Sequence, residues 1–242
     1  MRFSRRLVVA LPLILLAWPA AAQALQPGWI ADSRTGCRVW NNNPRPQETI
    51  TWSGNCVGGF AQGSGVLQWF VGGEPSGRYE GEYRDGAENG LGVATWADGT
   101  RYQGEWRQGR HQGTGVKTLA NGERYEGEFR DGKENGRGTY SWPSGDRYKG
   151  DFRDGKFNGH GVMTAANGGR YDGEYRDGKA TGRAVYTWPN GDRYEGEFRD
   201  AKPNGFGSYV TADQIYNGVW RDGCFRDGDR RAAVGVDLAS CP

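Results

Sequence analysis

The residues that could carry chemistry in this chain are two histidines, four cysteines and many repeated carboxylates. His111 falls in a predicted turn and His160 in a predicted strand, and neither has a recurring acidic or cysteine partner. A lone histidine on a polar face is usually only solvated. The run Gly63-Ser64-Gly65 lacks the strand-to-helix context and the triad of a nucleophilic serine. Carboxylates such as Glu126 and Glu128 recur along the chain, whereas an active site needs one singular constellation, so we expect a protein that is not an enzyme.

The cysteines lie outside the regular middle of the chain, at Cys37, Cys56, Cys224 and Cys241. In an oxidising compartment, an even number of cysteines favours disulfides over a metal site. Of the three connectivities we prefer Cys37–Cys56 and Cys224–Cys241, because each pair closes a short loop. A four-cysteine zinc site is the alternative, but no Cys-x-x-Cys spacing supports it. The Asp-Gly turns lack the ligand spacing of a dedicated calcium loop, and we expect no metal and no cofactor.

A pattern with a period of 23 residues runs through the middle of the chain and contains the histidines and the recurring carboxylates. Self-similarity at such a period is typical of a stacked repeat array. Each unit opens with tyrosine, a polar residue, glycine, usually an acid, an aromatic residue and arginine. Counting that tyrosine as position 1, the glycine is position 3 and the aromatic residue is position 5. The tyrosines are Tyr79, Tyr102, Tyr125, Tyr148, Tyr171 and Tyr194, and Tyr216 follows one residue early.

Each repeat is predicted to be a β-hairpin. The side chains of Tyr125, Gly127 and Phe129 would share one face of a strand, because residues alternate between the two faces. The stretch DGKENG, residues 131–136, is too polar and glycine-rich to continue the strand. The next run, GRGTYSW, alternates again, and an Asn-Gly or Asp-Gly type turn leads to the next tyrosine. We therefore expect an all-β fold of tandem β-hairpins in one elongated, twisted antiparallel single-layer sheet with disulfide-fastened ends.

The segment YEGEFRDGKENGRGTYSWPSGDR, residues 125–147, resembles the MORN repeat (membrane occupation and recognition nexus) in its Tyr, Gly, aromatic, Asp-Gly, Gly-x-Gly and Trp positions. Six repeats match well and a seventh matches in half, over residues 78–223. The resemblance implies an elongated sheet used for binding and scaffolding, with phospholipid contact and self-association proposed for eukaryotic members. It implies no catalytic chemistry.

The N-terminus has the composition of a secretory signal peptide over residues 1–24. A basic start, MRFSRR, precedes the twelve-residue apolar run LVVALPLILLAW and the small-residue context PAAAQA. The apolar run is too short to span a bilayer, and we expect cleavage after Ala24 or Ala22. The full chain carries 31 basic and 29 acidic residues. Cleavage removes three arginines, which leaves a formal net charge of 28 − 29 = −1 and no polybasic patch for nucleic acid or anionic lipid. Because of the predicted signal peptide, we expect the protein to be periplasmic or secreted.

The two ends of the array are expected to be caps, because a terminal hairpin has an exposed edge. Residues 25–77 form the N-terminal cap, which contains a degenerate repeat beginning at Trp52. Cys56 takes the place of the aromatic residue there, and a disulfide would replace ring packing. Residues 224–242 are expected to form an irregular C-terminal cap.

The consensus residues are interpreted as packing residues. In a single-layer sheet, rings must cover neighbouring backbone, and glycine on the same face leaves room for them. The arginines and acids of the opposite face are most simply solvated ion pairs, and the alternative is a row of arginines for phosphate or acidic sugars.

The variable positions remain as candidates for ligand binding. Tryptophan occurs at position 18 in alternate repeats; we favour packing against smaller neighbours, with an aromatic platform for a glycan or acyl surface as the alternative. Position 13 also varies between repeats. The candidate residues are Trp96, Trp142, Trp188, Arg137, His160 and Arg183.

Two functions follow from this sequence. The first is an exported non-catalytic scaffold for protein–protein interaction or assembly, with a protein partner or self-association. The second is direct binding of an envelope ligand, a phospholipid headgroup or polysaccharide, through sheet-face arginine and tryptophan residues. The sequence predicts no nucleic-acid partner.

Overall fold

The computed structural model describes residues 26–241. The predicted signal peptide, residues 1–24, lies outside these residues. The chain forms one open sheet of 20 strands. The pairings are antiparallel apart from a single parallel bridge between Arg38 and Phe60. This confirms the predicted all-β sheet of tandem hairpins.

The strands are, in chain order, β1 Gly28–Ala31, β2 Arg38–Asn41, β3 Glu48–Trp52, β4 Asn55–Val57, β5 Phe60–Val71, β6 Glu74–Arg84, β7 Ala87–Trp96, β8 Arg101–Arg107, β9 Arg110–Thr118, β10 Arg124–Arg130, β11 Lys133–Ser141, β12 Arg147–Arg153, β13 Lys156–Thr164, β14 Arg170–Arg176, β15 Lys179–Thr187, β16 Arg193–Arg199, β17 Lys202–Val210, β18 Ile215–Arg221, β19 Cys224–Asp227 and β20 Arg230–Ala233. A short 3-10 helix, Leu238–Ser240, follows.

From β5 onward each strand pairs with the next one in the chain, so the sheet is a long meander. Contacts are therefore mainly between neighbouring repeats. At the N-terminal end, β3 and β4 pair with the two halves of β5, and the hairpin β1–β2 lies beside them.

The hairpin turn within a repeat is shorter than the sequence predicts. Only Asp131 and Gly132 form it, with φ of 52° and 84°, and Lys133 already starts β11. The prediction that the stretch of residues 131–136 lies outside the strand is therefore wrong for residues 133–136. The backbone stays in the ladder because a β-bulge absorbs the polar stretch. Three residues, 135–137, lie opposite Glu128 alone, and Gly136 takes a φ of 62°.

The aromatic rings gather on one face of the sheet, which we call the aromatic face; the opposite side is the outer face. Tyrosines at position 1 and aromatic residues at position 5 are buried on the aromatic face, whereas their neighbours along the strand are exposed. Residues at positions 10, 16 and 18 also lie on this face, as the contacts of Phe157, Tyr140 and Trp142 show.

The N-terminal cap is held by a buried carboxylate and a disulfide. The Asp32 side chain has no exposed surface and accepts hydrogen bonds from the Trp52 backbone N–H at 2.9 Å and from Arg34. The Arg34 guanidinium holds the pKa of Asp32 below its usual range. Cys37 is bonded to Cys56, which confirms that predicted pair.

Trp52 takes the place of a repeat tyrosine. Its ring lies so close to Gly54 and Gly65 that a Cβ on either glycine would approach it within 2.4 Å.

The C-terminal end is a hairpin and not irregular. Strands β19 and β20 continue the sheet, and Cys224 is bonded to Cys241 after the 3-10 helix, as predicted. The prediction of an irregular cap missed this hairpin because its turn, Asp227 to Arg230, joins strands of only four residues. In the described part of the chain, no helix has the length and apolar character needed to cross a bilayer.

Candidate binding faces

Each repeat tyrosine from Tyr79 to Tyr194 holds the two strands of its own hairpin together. The Tyr125 hydroxyl donates to the backbone carbonyl of Glu128 at 2.9 Å, and its ring lies over Gly138. A Cβ on Gly138 would lie 2.5 Å from that ring, so a side chain there requires the tyrosine to move. Burial raises the pKa of Tyr125 well above its ordinary value, so the hydroxyl remains a donor. Packing thus explains why the repeat has a tyrosine at position 1 and glycines at the positions of Gly127 and Gly138.

The position-5 rings link one repeat to the next. Phe129 meets Tyr125 of its own repeat and Tyr102 of the preceding repeat edge to face, with both ring centroids at 5.0 Å. Edge-to-face pairs at this distance stabilise beyond the area that they bury. The same ladder recurs at Phe152 and Tyr175. The consensus aromatic residues therefore form the core of the sheet.

The acid at position 4 secures the bulge. Glu128 Oε1 accepts from the backbone N–H of Arg137 at 2.9 Å. Thr114 donates to Glu105 at 2.8 Å and His160 donates to Asp151 at 3.2 Å in the same way. The interpretation of this acid as part of a solvated ion-pair lattice was therefore incomplete, because its first partner is the backbone.

Other acids do form exposed ion pairs. Arg124 lies 2.6 Å from Glu126, and Arg193 lies 2.6 Å from Glu195. Exposed pairs of this kind contribute about 0–1 kcal/mol each. They keep the outer face charged but nearly balanced.

The position-13 candidates lie on the outer face. The Arg137 side chain is 90% exposed, with Nε 4.0 Å from Asp151. The imidazole Nε2 of His160 lies 3.0 Å from Asp172. Arg183 pairs in register with Glu197 of the next strand. Each of the three therefore has a carboxylate of the following repeat beside it.

The three tryptophans lie on the aromatic face. Trp142 packs 4.7 Å from Tyr140 and 6.1 Å from Phe157, and Trp188 packs 4.4 Å from Tyr186. Trp96 keeps 37% of its surface exposed. Because the sheet is a single layer, a ligand lying on one face cannot also contact the other. The structure therefore separates the six predicted residues into two sets of three.

Two clefts open on the aromatic face. One of about 320 Å³ lies beside Trp142 and is bounded by Tyr140, Phe157 and the Lys117–Glu134 ion pair of 3.1 Å. A larger one of about 670 Å³ lies at the N-terminal end, where residues of the cap and of the first two repeats meet.

Sequence reasoning missed two residues of the larger cleft. His111 is not a solvated turn residue: it lies in β9 and stacks on Tyr102 with a centroid separation of 3.7 Å. Burial lowers its pKa to about 4, and its Nδ1 has no hydrogen-bond partner among residues 26–241. Glu88 is only 7% exposed, accepts from the Tyr83 hydroxyl at 2.9 Å and has its pKa raised by burial. Their equivalence to Phe157 at position 10 was a signal that both face inward.

The family model for the MORN repeat matches the chain in seven units, at residues 52–74, 79–101, 102–124, 125–147, 148–170, 171–193 and 194–214. A comparison with the curated proteins gives no match. The SAS-4 (dCPAP) TCP domain of Drosophila melanogaster, solved in complex with a proline rich motif of Ana2 (dSTIL), aligns with a TM-score of 0.36 and 13% identity over 79% of this chain and 94% of that chain. A TM-score of 0.36 says nothing about shared function.

Proposed function

The chain belongs to the MORN repeat family, and we propose that it is a non-catalytic scaffold that binds a protein partner on its aromatic face. The observation that carries the proposal is the cleft beside Trp142, which opens among the packed rings of the aromatic face. Tryptophan and tyrosine rings at the edge of such a cleft are the residue types that dominate protein interfaces. The neighbouring Lys117–Glu134 pair would supply polar contacts at its rim.

The experiment is a quantitative pull-down from an envelope extract with two matched double variants. Replacing Trp142 and Trp188 with alanine changes the aromatic face, and replacing Arg137 and Arg183 with alanine changes the outer face. We expect a specific protein to be retained by the wild type and the outer-face variant and lost with the aromatic-face variant. Equal retention by all three folded proteins contradicts the proposal. Light scattering on the purified chain detects self-association.

The second function, binding of a phospholipid headgroup or polysaccharide, is narrowed by the geometry. The candidate arginines and tryptophans lie on opposite faces of the sheet, so one ligand cannot contact both. Ligand binding on the outer face would therefore use Arg137, His160 and Arg183 without the tryptophans. Salt-sensitive sedimentation with anionic vesicles or glycans that is lost with the outer-face variant would favour it over the first.

We also propose that the protein acts outside the cytoplasm. The two disulfides support an oxidising compartment. Cell fractionation with N-terminal sequencing tests this. We expect the protein in the periplasm or medium, beginning after Ala24 or Ala22. Recovery of the full-length chain from the cytoplasm with free thiols contradicts it.

A further inference from the structure

The larger cleft exists because one residue of the first repeat is small. Ala94 stands at position 16, where the later repeats carry long side chains. The cleft at Ala94 is lined by Trp69, Trp96 and Trp106 and by Trp40 of the cap. The cap is held there, because the backbone N–H of Trp40 donates to the Gly86 carbonyl at 2.7 Å. The later position-16 residues are Lys117, Tyr140, Met163, Tyr186 and Tyr209.

Two charged groups of this cleft have no ionic partner among residues 26–241, the exposed Asp98 and the buried Glu88. Arg45 lies 3.6 Å from Glu48, and Lys117 is paired with Glu134. Glu88, in contrast, accepts a side-chain hydrogen bond only from the neutral Tyr83 hydroxyl. A buried carboxyl group without a cation is costly to ionise, and burial accordingly raises its pKa.

The array itself shows what binds a carboxylate at this position. Glu134 is the position-10 acid of the third repeat, and the ammonium group of Lys117, at position 16 of the preceding repeat, lies 3.1 Å from it. Glu88 is the position-10 acid of the first repeat, but the residue equivalent to Lys117 before it is the buried Leu67. Glu88 thus has the setting of Glu134 without the lysine.

We propose that this cleft binds a primary alkylammonium group, a lysine side chain of the protein partner, with its nitrogen on Glu88 and its aliphatic stem between the tryptophans. The inference deepens the proposed function, because the lysine would come from the partner. Indole faces attract ammonium groups, and the N–H groups of a primary ammonium can donate to the Glu88 carboxylate. His111 stays neutral above its lowered pKa, so it adds no positive charge to the cleft. A quaternary ammonium lacks such donors, and an anion would meet the Glu88 carboxylate.

The test uses the disulfide-intact protein and small probes, so it does not depend on finding the partner. Nα-acetyl-lysine N-methylamide is titrated while the tryptophan indole resonances are followed by NMR. The norleucine and trimethyllysine analogues serve as controls for stem and charge. We expect a saturable shift of the cleft indoles with lysine and binding weaker by roughly tenfold or more with both analogues, because neither can donate an N–H to the Glu88 carboxylate.

Three variants separate recognition from folding. E88Q keeps the shape of the side chain and the Tyr83 hydrogen bond and should lose lysine binding, whereas the exposed E126Q makes the same charge change and should bind as the wild type. A94Y, which copies Tyr140, should block the cleft with Glu88 intact. Equal binding of lysine and norleucine, or full binding by folded E88Q, overturns the proposal.

The outcome is distinguishable from that of the pull-down. If the probe binds but no protein partner binds the aromatic face, the cleft is a lysine site and the proposed function is wrong. If a partner is lost with the Trp142 variant but the probe does not bind, the proposed function stands and the lysine site is wrong.

Discussion

At the scale of single residues, the geometry assigns a structural task to almost every consensus position. Tyr125 covers glycine and caps a carbonyl, and Glu128 holds a bulge. The sequence allows the first to be predicted, because a large ring and glycine on one strand face must be complementary. It does not allow the second, since the two extra bulge residues appear only once the register of β10 and β11 is known.

Gly138→Val is expected to destabilise the protein by about 1–3 kcal/mol, because the new side chain would overlap the Tyr125 ring. Gly138→Ala should cost less. The fifth full repeat has Ala184 at this position, and its Tyr171 is 6% exposed against 1% for Tyr125. Thermal melts test the series, with the outer-face change Thr139→Val as the control. An unchanged melting temperature for Gly138→Val would count against the ring-over-glycine packing.

The wild type should lose stability in mild acid because of His111, and His111→Phe should abolish that loss. The folded state keeps His111 neutral down to a pKa of about 4, whereas the unfolded chain binds a proton near 6.5. The wild type therefore loses stability as pH falls from 6.5 to 4, by up to about 3 kcal/mol, and none above 6.5. Phenylalanine fits there, because Phe157 stacks on Tyr148 in the same way at 3.8 Å.

Denaturant unfolding of both proteins between pH 4 and 8 measures this difference directly, since the other titrating groups are common to both. Parallel pH profiles would show that His111 is not buried as described.

At the scale of elements, the strand faces and the turns between repeats were predictable from local chemistry, whereas the length of the turn within a repeat and the cleft were not. Its walls come from the cap, the degenerate repeat and the first two repeats, whose positions relative to one another depend on pairing far along the chain. A small Ala94 acquires meaning only beside the larger residues of the sister repeats.

One hairpin turn lacks the glycine that the other repeats have at its second position. The Asp-Gly pair is replaced by Asp200-Ala201, and Ala201 takes a φ of 64°, a left-handed conformation that disfavours a Cβ. Ala201→Gly should therefore stabilise the protein by about 1 kcal/mol. The reverse change at the equivalent Gly178, whose φ is 85°, should destabilise it by a similar amount. Chemical unfolding measures both, and a stabilising Gly178→Ala would refute the argument.

At the scale of the whole molecule, the disulfides fasten an array in which each repeat contacts its neighbours. Such arrays do not have to unfold as one unit. Replacing Cys224 and Cys241 with serine removes a crosslink of the kind that stabilises by about 2–4 kcal/mol. We expect faster hydrogen exchange in β18 to β20 and unchanged protection in β10 to β13.

The same exchange measurement on the double serine variant at Cys37 and Cys56 should show the mirror-image result at the N-terminal end. Uniform loss of protection along the chain in either variant would indicate a single cooperative unit instead.

The meander of neighbouring strands also gives the molecule a mechanical character. When the two ends are drawn apart across the strands, tension reaches each strand through its turn, so hydrogen bonds open one after another as in a zipper. A 23-residue repeat that lets go would release roughly 80 Å of chain. A chain anchored at both ends would therefore lengthen in regular steps under load and recover them repeat by repeat, as an extensible tether does.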